Sequence, residues 1–130
     1  MTLRVEQIMT PPVGWIEGWE TVTVAARRLL ALGVSSLPVR GRGCRFLGLL
    51  SDRLIVERCA AEGLDPTKVP VGAIMWGDIH EVIDPERPVD DMLLTLMFQH
   101  GIDGLPVVEG EQFVGMIGIV DVASQIVESA

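Results

Sequence analysis

Two short stretches hold the polar residues best placed to do chemistry. GLLSDRL spans 48–54 and GMIGIVDV spans 115–122. The frame is shared, but the polar residues are divided. Ser51 stands where the second stretch has Gly118, and Asp121 stands where the first has Leu54. A serine ahead of a helix caps it, and a carboxylate in a first turn is favoured by the helix macrodipole. Arg40, Arg42, Arg45 and Arg53 lie close to the first stretch, a local basic feature suited to a small anion. Cys44 sits between Arg42 and Arg45 in a glycine-rich turn, where its thiolate is favoured, while Cys59 falls four residues after Ile55 and reads as a small core residue. His80 and His100 have no partners at ligand spacing, so no metal site is expected. No motif positions a nucleophile, a base and an orienting group together, so no catalytic activity is expected.

The elements that must hold these residues occur twice. VEQIM at 5–9 matches VGAIM at 71–75, WIEGWETV at 15–22 matches VIDPERPV at 82–89, GVSSLPV at 33–39 matches GIDGLPV at 101–107, and FLGLLS at 46–51 matches FVGMIG at 113–118. The copies lie about 67 residues apart, the mark of a repeat architecture. EGLDPTKVP at 62–70 has the composition of a connection. The division expected is therefore repeat one at 1–63, a linker at 64–70 and repeat two at 71–130.

Each copy reads as a short helical turn, a brief extended piece, an amphipathic helix, a hairpin and a closing helix. In copy one Val22, Ala25, Ala26, Leu29 and Leu30 form the stripe, with Thr21 as cap and Gly33 as stop. In copy two Val89, Met92, Leu93, Leu96, Met97 and His100 form it, with Pro88 at the first helical position and Gly101 as stop. The closing helices are expected at 52–62 and 119–128, the second with Ile119, Val122, Ala123, Ile126 and Val127 on one face. One such unit buries too little surface to be comfortable alone, so two are expected to share one compact object.

Composition limits the function. The chain has 130 residues, 48% of them hydrophobic, and a mean hydropathy of +0.40, which argues against disorder. No apolar run approaches the roughly 18 to 20 residues needed to cross a bilayer. The N-terminus lacks the features of a signal peptide, so a soluble cytoplasmic protein is expected. A net charge of −8 with no basic stripe opposes binding to DNA or RNA.

Together these pieces resemble a known family. Each copy resembles a CBS domain, of the cystathionine β-synthase type, and the tandem resembles the paired Bateman module. The residues that carry the resemblance are IMT at 8–10, TVTVAARRLLALGVSSLPV at 21–39 and GLLSDRL at 48–54, then IM at 74–75, PVDDMLLTLMFQHGIDGLPVVE at 88–109 and GMIGIVDV at 115–122. The resemblance implies an α+β fold of two β-α-β-β-α repeats packed through their sheets with pseudo-twofold symmetry. It also implies a homodimer. The function it implies is a stand-alone regulatory module that senses a small ligand, first of all an adenosine-containing one such as AMP, ADP, ATP or S-adenosylmethionine. Such a module modulates a partner enzyme or transporter. The alternative is a structural or protein-interaction module that dimerises without a nucleotide.

In nucleotide-binding relatives the turn after the last strand carries a Gly, then Ser or Thr, then Asp. The aspartate accepts from both ribose hydroxyls, and the hydroxyl and helix N-terminus donate to phosphate. Carried onto this chain, the candidates are Asp121, Gly115 and Gly118 in copy two and Ser51 and Arg53 in copy one. Thr10 of IMT and the prolines of the two LPV pieces, Pro38 and Pro106, join them. The chain departs from the pattern at Leu54 and Gly118, so each half-site lacks one handle. Ser35, Ser36, Asp103 and Gly104 stand where some relatives place basic residues, and Asp103 would repel a phosphate. Trp15, Trp19 and Trp76 lie near where relatives contact adenine, a position that also suits packing or a dimer contact.

Overall fold

The computed structural model describes residues 3–77, 82–100 and 104–129. The chain divides into two compact units, and the cut does not follow the sequence repeat. A central unit comprises Val13–Ile79, and a composite unit joins Met1–Pro12 to His80–Ala130.

In the central unit β1 (Ile16–Glu17) runs parallel to β2 (Ser36–Arg40), which pairs antiparallel with β3 (Phe46–Ser51) in the order β1-β2-β3. Between β1 and β2 lies α2 (Val22–Leu32), following the short α1 (Val5–Ile8) of the composite unit. Thr21 caps α2 by accepting from the Val24 N–H at 3.4 Å, and Gly33 ends it in the left-handed region at φ 67°. Val22, Ala25 and Leu29 place one face of α2 in a core with Ile16, Leu37, Val39, Leu50, Cys59, Val71 and Ile74. Leu30, expected on that stripe, is 83% exposed, because the buried face of α2 is only three positions wide. The closing helix is α-helical only over α3 (Asp52–Ile55), and Val56–Ala60 continues as a π-helical turn closed by Ala61 N–H to Val56 O at 2.8 Å.

The composite unit has an antiparallel hairpin of β4 (Gly104–Glu109) and β5 (Gln112–Gly118), flanked by α4 (Asp91–His100) and α5 (Ile119–Ser129). Ile83 makes a single parallel bridge to Val107, the counterpart of Ile16 on Val39 in the central unit. The core is Val5, Ile83, Leu93, Met97, Leu105, Val107, Ile117 and Val122. Pro88 is not the first helical residue: it lies opposite Arg4 in an antiparallel bridge, and α4 starts three residues later behind an Asp90 carboxylate that accepts from Met92 N–H at 3.1 Å. Met92 and Val127, expected on apolar stripes, are exposed because Leu93, Met97 and Val122 already fill the inner faces. Gly101, Asp103, His80 and the side chain of His100 fall outside the described residues.

The offset between repeat and unit has a definite cause. Val71 is fully buried in the central core and Val5 in the composite core, so the two matching segments VEQIM and VGAIM each complete the unit built by the other copy's strands. The 64–70 stretch is tied in as well, through Val22 N–H to Val69 O at 2.9 Å and a Thr21–Pro70 bridge. The two compact units, 13–79 and the combination of 1–12 with 80–130, are thus cut differently from the expected division at 63, 64–70 and 71.

Truncating Val5 to Ala should cost roughly 1–3 kcal/mol and lower the melting temperature by several degrees. Leu30→Ala should leave it within about 0.5 kcal/mol of the parent. A calorimetric melt in which Val5→Ala behaves like Leu30→Ala would show that the first segment does not complete a core.

Candidate functional site

The divided polar pair has a shared structural basis. Ser51 is the residue before α3, and its Oγ accepts from the Leu54 N–H at 3.1 Å. Gly118 is the residue before α5, and its N–H donates to Asp121 Oδ2 at 2.9 Å. In a complete capping box the residue before the helix accepts from the N–H three residues on, and the side chain there reaches back to the first N–H. Ser51 supplies the forward arm alone, and Asp121 supplies the backward arm alone. Leu54 has left the polar role and packs against the central core.

The other candidates separate by unit. Pro38 pairs with Leu49, which bridges to Trp76; Pro106 pairs with Met116, which bridges to Thr10. These are equivalent rows, one in each unit. Thr10 contributes its backbone, donating to Met116 O at 2.8 Å and accepting from Met116 N–H at 2.9 Å. The row needs glycine beside it: a Cβ on Gly115 would stand 2.7 Å from Thr10 O, and one on Gly48 would collide with Trp76 O. Thr10, Pro106, Gly115, Gly118 and Asp121 thus belong to the composite unit, and Ser51, Arg53 and Pro38 to the central one.

Two of the four arginines around the first stretch are already paired with glutamates. Arg53 Nε donates to Glu57 Oε1 at 2.6 Å across one helical turn, and Glu57's hydrogen bond and charge raise the guanidinium pKa. Arg40 Nε donates to Glu17 Oε1 at 2.8 Å, and its guanidinium lies 3.7 Å from the centre of the Trp15 ring. Cys44 is exposed in the β2–β3 turn at φ 61°. Cys59 is buried, its Sγ 3.7 Å from Leu64 O.

A polar network absent from the sequence reading surrounds Trp15. Arg28 donates to Trp15 O at 2.8 Å and to both Glu20 carboxylate oxygens at 3.0 and 3.2 Å, and Glu20 Oε2 also accepts from Glu17 N–H at 2.8 Å. Its only trace in the sequence is cross-strand. Glu17 faces Arg40 once β1 and β2 are aligned in parallel at Ile16 and Val39. Burial pushes the Glu20 carboxyl pKa up, but the Arg28 hydrogen bonds, the Glu17 N–H and the charges of Arg28 and Arg40 outweigh it and hold it low. Among the described residues, no group of three or more His, Cys, Asp and Glu side chains is placed to hold a metal ion.

The depressed Glu20 pKa fixes a sign. Its stabilisation is present above the ordinary glutamate pKa and is lost as pH falls through the lowered folded value. Glu20→Gln should cost about 1 kcal/mol at pH 7. That difference should shrink steadily below about pH 4. Denaturant titrations at the two pH values check it, and an equal loss at both would mean that charge contributes nothing.

A family model described as CBS domain matches residues 71–128. Hypoxic response protein 1 of Mycobacterium tuberculosis is 32% identical over 123 residues, covering 95% of this chain and 85% of that protein. The CBS domain-containing protein YhcV of Bacillus subtilis is 31% identical over 119 residues, covering 92% and 82%. A crystal structure of Hypoxic Response Protein I, described as having two coordinated zinc ions, superposes with a TM-score of 0.82 at 30% identity, covering 94% of this chain and 98% of that one. A hexameric CBS-CP12 protein from bloom-forming cyanobacteria superposes with a TM-score of 0.82 at 31% identity, covering 98% and 75%.

Proposed function

Because the chain belongs to the CBS-domain family, we propose that it is a regulatory module whose composite unit binds an adenosine-containing ligand and passes the change to a partner protein. One observation carries this reading: Asp121 is a half-buried carboxylate fixed at the start of α5 by the Gly118 N–H. Thr10, Gly115 and Pro106 belong to the same unit. A carboxylate has about four acceptor positions, so one backbone bond leaves capacity for both hydroxyls of a ribose. Holding the group in place beforehand removes part of the ordering cost of binding. The N-terminus of α5 adds backbone donors for phosphate, which offsets the missing hydroxyl at Gly118.

The central unit is the weaker half-site. Leu54 accepts no hydrogen bond, and hydroxyls buried without acceptors cost roughly 1–3 kcal/mol each. Ser51 and Arg53 already have partners in their own helix. The module acts without catalysis in this reading, as a homodimer. The hexameric state named for the CBS-CP12 protein supports self-association. A second reading, an interaction module without a nucleotide, is favoured by the same hydrogen bonds, since capping alone accounts for Ser51 and Asp121.

Calorimetry with AMP, ADP, ATP and S-adenosylmethionine separates the two. One site per chain is expected, weakened at least about tenfold by Asp121→Asn. That substitution keeps an acceptor for Gly118 N–H, so the melting temperature should hold. Leu54→Ala should change binding little. Two equal sites, or normal binding by Asp121→Asn, would return Asp121 to a purely capping role. Light scattering at micromolar concentration should show a dimer, and a monomer would remove that part of the proposal.

A further inference from the structure

We infer that Arg58 is a latch tying the closing helix of the central unit to the strap 71–76, so that the Ser51 turn and the Leu49–Trp76 row open and close together. The strap is held to the sheet at both ends. Val71 N–H donates to Glu20 O and Gly72 N–H to Gly18 O, both at 2.8 Å, and Trp76 exchanges backbone bonds with Leu49 at 2.8 and 3.0 Å. Between these ends Val71 and Ile74 are buried in the central core. Arg58 adds a hold from outside the sheet: its Nη1 donates to Met75 O at 3.1 Å and to Ile74 O at 3.4 Å. These carbonyls lie just past the 3-10 turn Val71–Ala73, where a basic side chain serves as a C-terminal cap.

Three features set Arg58 apart from an ordinary solvated arginine. Its guanidinium has no carboxylate partner among the described residues, whereas Arg28, Arg40 and Arg53 each have one. It lies inside the π-helical turn Val56–Ala60, whose wider winding turns its residues away from the directions they would take in an unbroken α-helix, with Cys59 buried beside it. In the register that matches Ser51 with Gly118, Arg58 falls on Gln125 of the uninterrupted α5, so a charged donor stands here in one copy alone. A hydrogen bond from a charged donor is stronger than one from a neutral amide. Ser51 caps the start of α3 and lies two residues past Leu49 on the same strand and turn. Leu49, Ser51, α3, Arg58 and the strap therefore close a circuit within the central unit. Loosening one member shifts the equilibrium of the others, which is a coupling free energy.

Residue-resolved amide hydrogen exchange on the full chain tests the latch, with the Thr10–Met116 row as internal control. Arg58→Gln gives the first copy the residue of the second. It should speed exchange of the Trp76, Leu49 and Val71 amides roughly three- to tenfold and leave the Thr10 and Met116 amides at their parent rates. Arg58→Lys keeps a charged donor and should restore part of the protection. Ser51→Ala should also speed the Trp76 amide, and should add little once Arg58→Gln is present. Unchanged strap amides in Arg58→Gln would overturn the latch. Equal acceleration of both rows would overturn it too, since Arg58 would then act only on global stability. Fully additive effects of the Ser51 and Arg58 substitutions would contradict the coupling.

Discussion

A hairpin with one open edge leaves backbone N–H and C=O groups to be satisfied, and both units meet that need in the same way. A segment from outside the hairpin lays one residue against the last strand: Trp76 on Leu49, Thr10 on Met116. Gly48 and Gly115 make the approach possible, and Val71 and Val5 follow their segments into the two cores. The polar turns at Ser51 and Gly118 lie three residues or fewer from these rows, so their placement depends on the rows being closed. Opening either row would cost an edge pairing and a buried valine together.

The same few atoms serve helix capping and any ligand chemistry. At a helix start the backbone presents donors with no intrahelical acceptor, and an oxygen-bearing side chain satisfies one of them whether or not a ligand comes. Ser51 reaches forward and Asp121 reaches back, so each copy keeps one arm of a reciprocal arrangement. Where the backward arm is lost, the position turns to packing, and Leu54 joins the central core. Where the forward arm is lost, Gly118 has no side chain to accept from the first turn of α5, and the Asp121 carboxylate is held beside it. The asymmetry of the two copies follows from which arm was kept.

Much of this was legible in the sequence. The doubled motifs gave the element order, the Thr21 cap and Gly33 stop hold as expected, and Cys59 is core. The capping role of Ser51 was legible because it needs only local spacing. What escaped was everything that depends on partners distant in the chain. Periodicity alone could not show that VEQIM and VGAIM cross into each other's units, nor that Pro88 pairs with Arg4 instead of starting a helix. The width of an apolar stripe also misled at Leu30, Met92 and Val127, since a short helix on a small sheet buries fewer positions than its pattern offers. The Trp15, Glu17, Glu20, Arg28 and Arg40 network required the strand register, and two of the four arginines near the first stretch are paired, Arg40 within that network and Arg53 with Glu57.

The proposal of a ligand site at Asp121 is tested most directly by residue-resolved amide hydrogen exchange, with and without a saturating adenosine nucleotide. Gly118 N–H bonds to the Asp121 carboxylate, and Leu54 N–H bonds to Ser51, so the two amides report on the two turns separately. With nucleotide bound, the Gly118 amide should exchange markedly more slowly while the Leu54 amide keeps its rate. Equal slowing of both amides, or slowing at Leu54 alone, would contradict a ligand site organised by Asp121.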